Sequence, residues 1–116
     1  MNTEFRSAWL MRSGDVLASA DVADTPRSRR KGLIGRTSVD NAMVITQCKW
    51  IHTVGVKMPL DIAYLDAHGI VLKTERIKPL RISAPVSRCK TVVEARAGSF
   101  ERWNLKVGDV IDVRLT

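Results

Sequence analysis

Short apolar runs, each ended by a turn signal, are the feature that most limits what this chain can fold into. Runs of roughly four to eight residues bounded by Gly, Pro, Asn or Asp are typical of β-strands. The turns at 13–15 and 66–69 each separate two neighbouring runs and predict two β-hairpins. The chain is therefore expected to be mainly β, a small single-domain β-barrel or sandwich. The predicted strands are 8–12, 16–23, 42–46, 60–65, 70–74, 91–95 and 110–115.

One short helix is predicted near residues 25–34, and a helical turn near residues 99–105. Thr25 has the side-chain oxygen of a good N-cap, and Pro26 suits the first helical position. Ser99 is expected to cap the second segment in the same way.

The length and composition fit one soluble domain covering residues 1–116. The chain is 45 % apolar and 27 % charged, which excludes disordered and collagen-like classes. No apolar stretch approaches the roughly 20 residues of a membrane helix, so no membrane partner is expected. The first six residues hold no apolar signal core, and the predicted location is cytoplasmic. In that compartment Cys48 and Cys89 are expected to be free thiols.

The positive charge is concentrated in two segments. The 19 Lys and Arg residues against 12 Asp and Glu give a net charge of +7. Residues 27–36 contain no acid, and residues 73–90 contain only Glu75. Such density favours an anionic small molecule or an acidic protein surface as partner, with nucleic acid as a weaker alternative. The structural alternative is a solvated face that aids solubility.

Residues 48–61 bring together more kinds of reactive side chain than any other segment. A thiol, an indole, an imidazole, a hydroxyl, an ammonium and a carboxylate occur there around an irregular backbone. Loops on a β scaffold are where such groups converge on a ligand. The candidate ligand-site residues are His52, Thr53, Lys57, Asp61 and, from a later strand, Glu94.

Each ionisable candidate also has a structural interpretation. His52 could shuttle a proton or simply hold neighbouring groups by hydrogen bonds. Asp61 could be partly buried with Lys57 or Arg96 as counter-ion, or could cap loop amides. Glu94 could be solvent-exposed and paired with Arg96 on the same strand face. Alternatively, it could lie near Asp61 or His52 and form an acid–base pair.

The sequence predicts no metal and no cofactor. Cys48 and His52 are spaced i, i+4, but no second cluster of thiols or imidazoles accompanies them. Phosphate-binding loops, dinucleotide fingerprints and hydrolase elbows do not occur. A nucleophilic pair of a cysteine with His52 is chemically feasible and has little support.

Five separated motifs follow one another along the chain, at 20–36, 51–55, 59–71, 93–98 and 108–109. In this order they resemble the domain-of-unknown-function family 192, an uncharacterised bacterial and archaeal family, over about residues 16–114. Val56 departs from the family pattern, which usually has Met there. The resemblance implies a compact mainly-β fold and no particular reaction. It places recurrent polar positions at His52, Thr53, Asp61, Glu94 and Asp109.

Three functions are compatible with these residues. The first is a non-catalytic binding or accessory module with its ligand or partner site around residues 48–61. The alternative is a small hydrolase-type enzyme that uses His52 with Asp61 or Glu94. A further alternative is weak, charge-driven binding of nucleic acid. The sequence assigns no catalytic residue.

Overall fold

The computed structural model describes residues 4–36 and 38–116, and within them the chain has seven strands and two short helices. The strands are β1 (Arg6–Arg12), β2 (Asp15–Ala23), β3 (Ala42–Thr46), β4 (Leu60–Leu65), β5 (Val71–Ile77), β6 (Thr91–Arg96) and β7 (Asp112–Leu115). The helices are α1 (Pro26–Lys31) and α2 (Ser99–Trp103).

All of these strands join one sheet in the order β5-β4-β6-β3-β2-β1-β7. The predicted hairpins β1–β2 and β4–β5 are present, and every pairing is antiparallel except β2–β3. A parallel pair needs a crossover connection, and α1 lies in it. The mainly-β prediction is confirmed.

The sheet is not closed into a barrel, although its two ends approach one another. Ile70 and Val110 form an isolated bridge, and the Ile111 N–H donates to the Gly69 carbonyl at 2.9 Å. Gly69 has φ +82°, and a Cβ there would overlap the carbonyl oxygen of Ile111. Glycine is therefore required where the start of β5 meets the segment before β7.

The first helix begins as the sequence predicts and ends sooner. The Thr25 side chain accepts a hydrogen bond from the Ser28 N–H at 3.1 Å, and Pro26 takes the first helical position. The helix ends at Lys31 because Gly32, with φ 42°, leaves the helical conformation. The Gly32 N–H still donates to the Ser28 carbonyl at 2.9 Å, which closes the last turn.

The second helix is present, but the prediction that Ser99 caps it is wrong. The N-cap is Gly98, with φ 96°, and Ser99 is the first helical residue. The Ser99 hydroxyl accepts a hydrogen bond from Arg102 at 3.1 Å and does not bond the helix amides. Those amides, of Gly98 and Phe100, donate to the carboxylate of Asp61.

Each face of the sheet carries its own apolar cluster, because successive strand residues point to opposite sides. We call the face that bears Ile45, Ile62 and Val92 the first face, and it packs against Leu33 after α1. The opposite, second face packs against Phe100 of α2. Among the described residues, neither helix has the length and hydropathy needed to cross a membrane.

Candidate functional site

A cavity of about 700 Å³ opens on the first face of the sheet, between α1 and the segment 47–52. Ile45 of β3 and Glu94 of β6 lie among its lining residues. Small-molecule sites in proteins commonly measure roughly 300–1,000 Å³. The crossover that carries α1 therefore builds one wall of a ligand-sized cavity over the centre of the sheet.

Glu94 is the buried carboxyl of this cavity. It lies in the middle of the sheet, opposite Met43 on β3 and Ile62 on β4, and is 3 % exposed. Of the two interpretations of Glu94, the exposed ion pair with Arg96 is therefore wrong. No described residue donates a hydrogen bond to the Glu94 carboxyl, and a Cβ on Gly32 would lie 3.8 Å from its Oε1. Burial raises the pKa of Glu94 to about 7.

His52 lines the same cavity from the opposite wall. An isolated bridge to Ile82 holds its backbone, and its ring lies 6.4 Å from the Trp50 ring, centroid to centroid. Its Nδ1 atom is buried without a hydrogen-bond partner among the described residues. His52 and Glu94 share the cavity, yet no hydrogen bond joins them there. The arrangement thus places an imidazole and a carboxyl in the lining of one cavity.

Two other candidates lie outside the cavity lining. Thr53 is fully buried, and its hydroxyl donates to the Lys78 carbonyl at 2.7 Å while it accepts from the Arg81 N–H at 2.8 Å. It therefore ties two loops together. Lys57 is exposed on the same segment.

Asp61 and Glu94 do not meet, because they face opposite sides of the sheet. In the β4–β6 ladder Asp61 is opposite Ala95, whereas Ile62 is opposite Glu94. Cross-strand partners share a face and sequence neighbours do not. Asp61 thus belongs to the second face, and an acid–base pair of these two carboxyls does not exist.

The Asp61 carboxylate has a structural role at the start of α2. It accepts from Arg76 Nε at 2.9 Å and from two backbone N–H groups at 2.9 and 3.1 Å. The interpretation as a cap for loop amides agrees with these contacts. Its counter-ion is Arg76 and neither Lys57 nor Arg96, since the β4–β5 register places Arg76 directly opposite.

Positive charge surrounds the cavity, and most of it comes from α1. Of the Lys and Arg residues in segment 73–90, only Lys90 lines the cavity. The sequence showed the charge of both segments but not that the first would lie over Glu94. The cationic lining residues are Arg29, Arg30, Lys31, Lys49 and Lys90.

Both thiols also line the cavity, and both are free. The Cys89 Sγ donates to the Cys48 carbonyl at 3.2 Å, and the Cys48 Sγ donates to the Trp50 carbonyl at 3.0 Å. Burial raises the pKa of each thiol, which keeps it protonated and a poor nucleophile. Within residues 4–36 and 38–116, no cluster of three His, Cys, Asp or Glu side chains could hold a metal ion.

Asp109, the fifth recurrent polar position, stabilises the turn before β7. Its carboxylate accepts from the Lys106 N–H and from Arg12, each at 3.0 Å. The hydrogen bond from the Lys106 backbone is the main cause that lowers the pKa of Asp109. These contacts give Asp109 a role in the fold, away from the cavity.

The family model of domain-of-unknown-function family 192, described as "Uncharacterized ACR", matches residues 9–113. The chain belongs to this family. The resemblance given by the five motifs is confirmed, and the match begins earlier than the predicted residue 16 because it includes most of β1. No curated protein shows significant sequence similarity to the chain.

Solved structures with the same fold include two bacterial proteins. One, a protein of unknown function from Novosphingobium aromaticivorans, has a TM-score of 0.77 and 18 % identity over 93 % of this chain and 84 % of its own. The other, from Sinorhizobium meliloti, is described as a proposed transcription regulator. It has a TM-score of 0.73 and 22 % identity over 94 % of this chain and 92 % of its own. At identities of 18 and 22 %, the similarity shows only that this chain has the same fold as these two proteins.

Proposed function

We propose that this family 192 protein is a non-catalytic binding module whose ligand is a small organic molecule held in the cavity between α1 and residues 47–52. His52 and Glu94 are the proposed contact residues. Thr53 and Asp61 support the loops and the helix around them, and Lys57 has no role in the site.

The unpartnered Glu94 carboxyl is the observation that carries this proposal. A buried carboxyl without a hydrogen bond costs free energy, so stable folds usually satisfy it or remove it. Here it borders a cavity large enough for a ligand and lies 3 % exposed. A polar group of a bound molecule would supply the missing partner, and this supports a binding role for Glu94.

The hydrolase alternative has weaker support. A general base must lie within hydrogen-bond reach of the proton it removes and is normally oriented by a third group. Asp61 faces the opposite side of the sheet from His52, and Glu94 makes no hydrogen bond to His52. The two thiols are held protonated by burial. The geometry therefore favours binding without turnover.

A fragment screen by protein-observed NMR tests the proposal. We expect hits from a library of small organic compounds to shift amide signals in α1, in residues 47–52 and around Glu94. Glu94→Leu removes the polar anchor and should abolish binding of polar hits while the fold persists. The matched control is Glu101→Leu, whose side chain is 84 % exposed. Mass spectrometry of each hit after incubation should show it unchanged.

Several outcomes would contradict the proposal. Hits whose shifts scatter over the surface, or a complete lack of hits, would remove the binding role of the cavity. Equal binding by the wild type and Glu94→Leu would remove the role of that carboxyl. Conversion of a hit into product by the wild type, and not by His52→Ala, would favour the hydrolase alternative.

Charge-driven binding of nucleic acid is a second candidate function. The net charge of +7 supports it. So does the similar Sinorhizobium meliloti protein, which is described as a proposed transcription regulator. Such binding weakens steeply with salt, in proportion to the number of phosphates contacted. Fluorescence anisotropy of a labelled duplex across a salt series tests it. If the anisotropy does not change on adding protein at the lowest salt, nucleic-acid binding is ruled out.

The cytoplasmic location stays a prediction.

A further inference from the structure

We infer that the ligand of this cavity is an organic anion with an apolar body, held with its charged group among the cations of the mouth and with a neutral polar group against Glu94 and His52. This inference rests on the proposed binding function and names the class of ligand.

Uncompensated positive charge at the cavity is the first reason. Lys31 has a counter-ion, Glu4 Oε2 at 3.1 Å, and Arg29 donates to the Asp24 carbonyl at 3.2 Å. By contrast, three exposed cations of the lining form no salt bridge with any carboxylate of the described residues. An anionic group in the mouth would pair with them, whereas a cationic ligand would be repelled. These three are Arg30, Lys49 and Lys90.

Apolar walls are the second reason, because they distinguish an organic anion from an inorganic one. Five branched aliphatic side chains also line the cavity, and four of them are buried. A bare phosphate or sulfate would leave this surface wet, while an apolar body would gain about 25 cal/mol for each Å² that it removes from water. The side chains are Leu33, Ile34, Ile45, Ile51 and Val56.

The third reason lies at the buried end of the cavity. Glu94, which is 3 % exposed, and His52 both line the cavity, and no described residue donates a hydrogen bond to the Glu94 carboxyl. A cationic group placed there would have to pass the positively charged mouth. A neutral hydroxyl, amide or carbonyl group meets no such barrier and can hydrogen-bond to a protonated carboxyl. The cavity thus has three zones, and a ligand with a charged, an apolar and a neutral polar part matches them.

Two fluorescent probes of nearly equal apolar body test this inference. Anilinonaphthalene sulfonate carries a permanent negative charge, and phenylnaphthylamine is its neutral analogue. Each is titrated into the folded protein at about 0.1 M salt, where exposed charges more than a Debye length apart are screened. Amide shifts in NMR spectra locate the bound dye. We expect the anionic dye to bind at least about tenfold more tightly, with shifts in α1, in residues 47–52 and in β6.

The cavity cations are then removed. The double variant Lys49→Gln/Lys90→Gln should weaken binding of the anionic dye by about tenfold and leave the neutral dye unchanged. The matched control, Lys78→Gln/Lys106→Gln, removes the same charge from exposed positions outside the lining and should bind both dyes as the wild type does. Circular dichroism and NMR spectra establish that each variant is folded.

The outcomes separate this inference from the proposed function. Equal affinity for both dyes, with shifts at the cavity and no effect of the lysine variants, would overturn the anionic ligand and leave the binding function standing. Equal losses in the cavity and control variants would also overturn it, because net charge alone would then explain the preference. Failure of both dyes to bind at the cavity would overturn the binding function and the inference together.

Discussion

Asp61 and Glu94 lie on neighbouring strands one register position apart, and their carboxyls face opposite sides of the same sheet. Asp61 accepts three hydrogen bonds, from Arg76 and from two backbone amides. Glu94 accepts none from the described residues and borders the cavity. The sheet therefore separates a carboxyl that stabilises the fold from one that is available to a ligand.

Stability should depend on pH through Glu94. Its pKa is raised to about 7 in the folded protein from an ordinary value of 4.5. Between these values the folded protein holds a proton that the unfolded chain has released. The free energy of unfolding therefore falls as pH rises through this window, by an amount on the order of 3 kcal/mol, and levels off above it. Urea unfolding of the wild type and Glu94→Gln across this range measures the effect.

The difference in unfolding free energy between the wild type and Glu94→Gln, plotted against pH, gives the contribution of the Glu94 carboxyl. Glu94→Gln should be the more stable protein above pH 7, and its advantage should vanish towards the ordinary pKa of a glutamate. Glu101→Gln, at an exposed carboxyl, controls for the loss of one acid. A pH-independent difference would mean that burial does not raise the pKa. The other ionisable groups of the cavity remain in both proteins: Arg29, Arg30, Lys31, Cys48, Lys49, His52, Cys89 and Lys90.

Loss of the Asp61 carboxylate should destabilise the fold and spare the cavity. Asp61→Ala leaves two amides at the start of α2 without their acceptor, which we expect to cost about 2–4 kcal/mol. Arg76→Gln is the control, because it removes the half-exposed partner and leaves both amides bonded, so its cost should be much smaller. Chemical denaturation compares the two. Equal losses of unfolding free energy in the two variants would mean that the Asp61–Arg76 ion pair stabilises the fold and the hydrogen bonds to the two amides do not.

Alanine at position 69 should weaken the contact between the two ends of the sheet. Gly69→Ala combines an unfavourable φ of +82° with an overlap on the Ile111 carbonyl, so we expect a loss of more than about 1 kcal/mol. Gly14→Ala has nearly the same φ, +85°, and open space around the new methyl group. Thermal unfolding should therefore rank Gly69→Ala below Gly14→Ala. Equal losses would show that backbone strain alone dominates, and the reverse order would contradict the role of the Ile111 contact.

Both cysteines should react slowly with iodoacetamide near neutral pH. Burial raises the pKa of each thiol, so less thiolate is present than for a free cysteine. Cys48 is half-buried and should react before the fully buried Cys89. Peptide mass spectrometry follows each site over time. Protein unfolded in urea is the reference, and native rates equal to its rates would contradict the expectation.

Most strands could be predicted because they depend on local sequence. The bounds of β3 and β4 match the apolar runs, since turn residues end each run on both sides. Thr25 and Pro26 likewise predicted the start of α1 from the cap itself. Ser99 failed as a cap because the acceptor came instead from Asp61, 37 residues before Gly98. Local sequence patterns do not predict contacts between residues that are far apart in the chain.

The cavity could be predicted only in part. A two-residue period showed that Glu94 and Val92 share a face, but not that the face is buried under α1. That depends on the parallel pairing of β2 with β3, which carries the helix across the sheet. The same crossover places Arg29 in the lining of the cavity that His52 also borders. Sequence reasoning identified His52 and Glu94 as candidates and had no means to decide whether Asp61 or Glu94 accompanied the imidazole.

The strand order also determines when this fold can form during synthesis. In the sheet, β6 alone joins β3 to β4, and it is translated after both. A nascent chain that ends before β6 would hold two unconnected pieces, β1–β2–β3 and the β4–β5 hairpin, and Glu94 would still be missing. Such non-local assembly is characteristic of slow folders. The pairing of β6 therefore joins the two pieces and supplies the Glu94 side of the cavity late in synthesis, and β7 adds to β1 as the last strand.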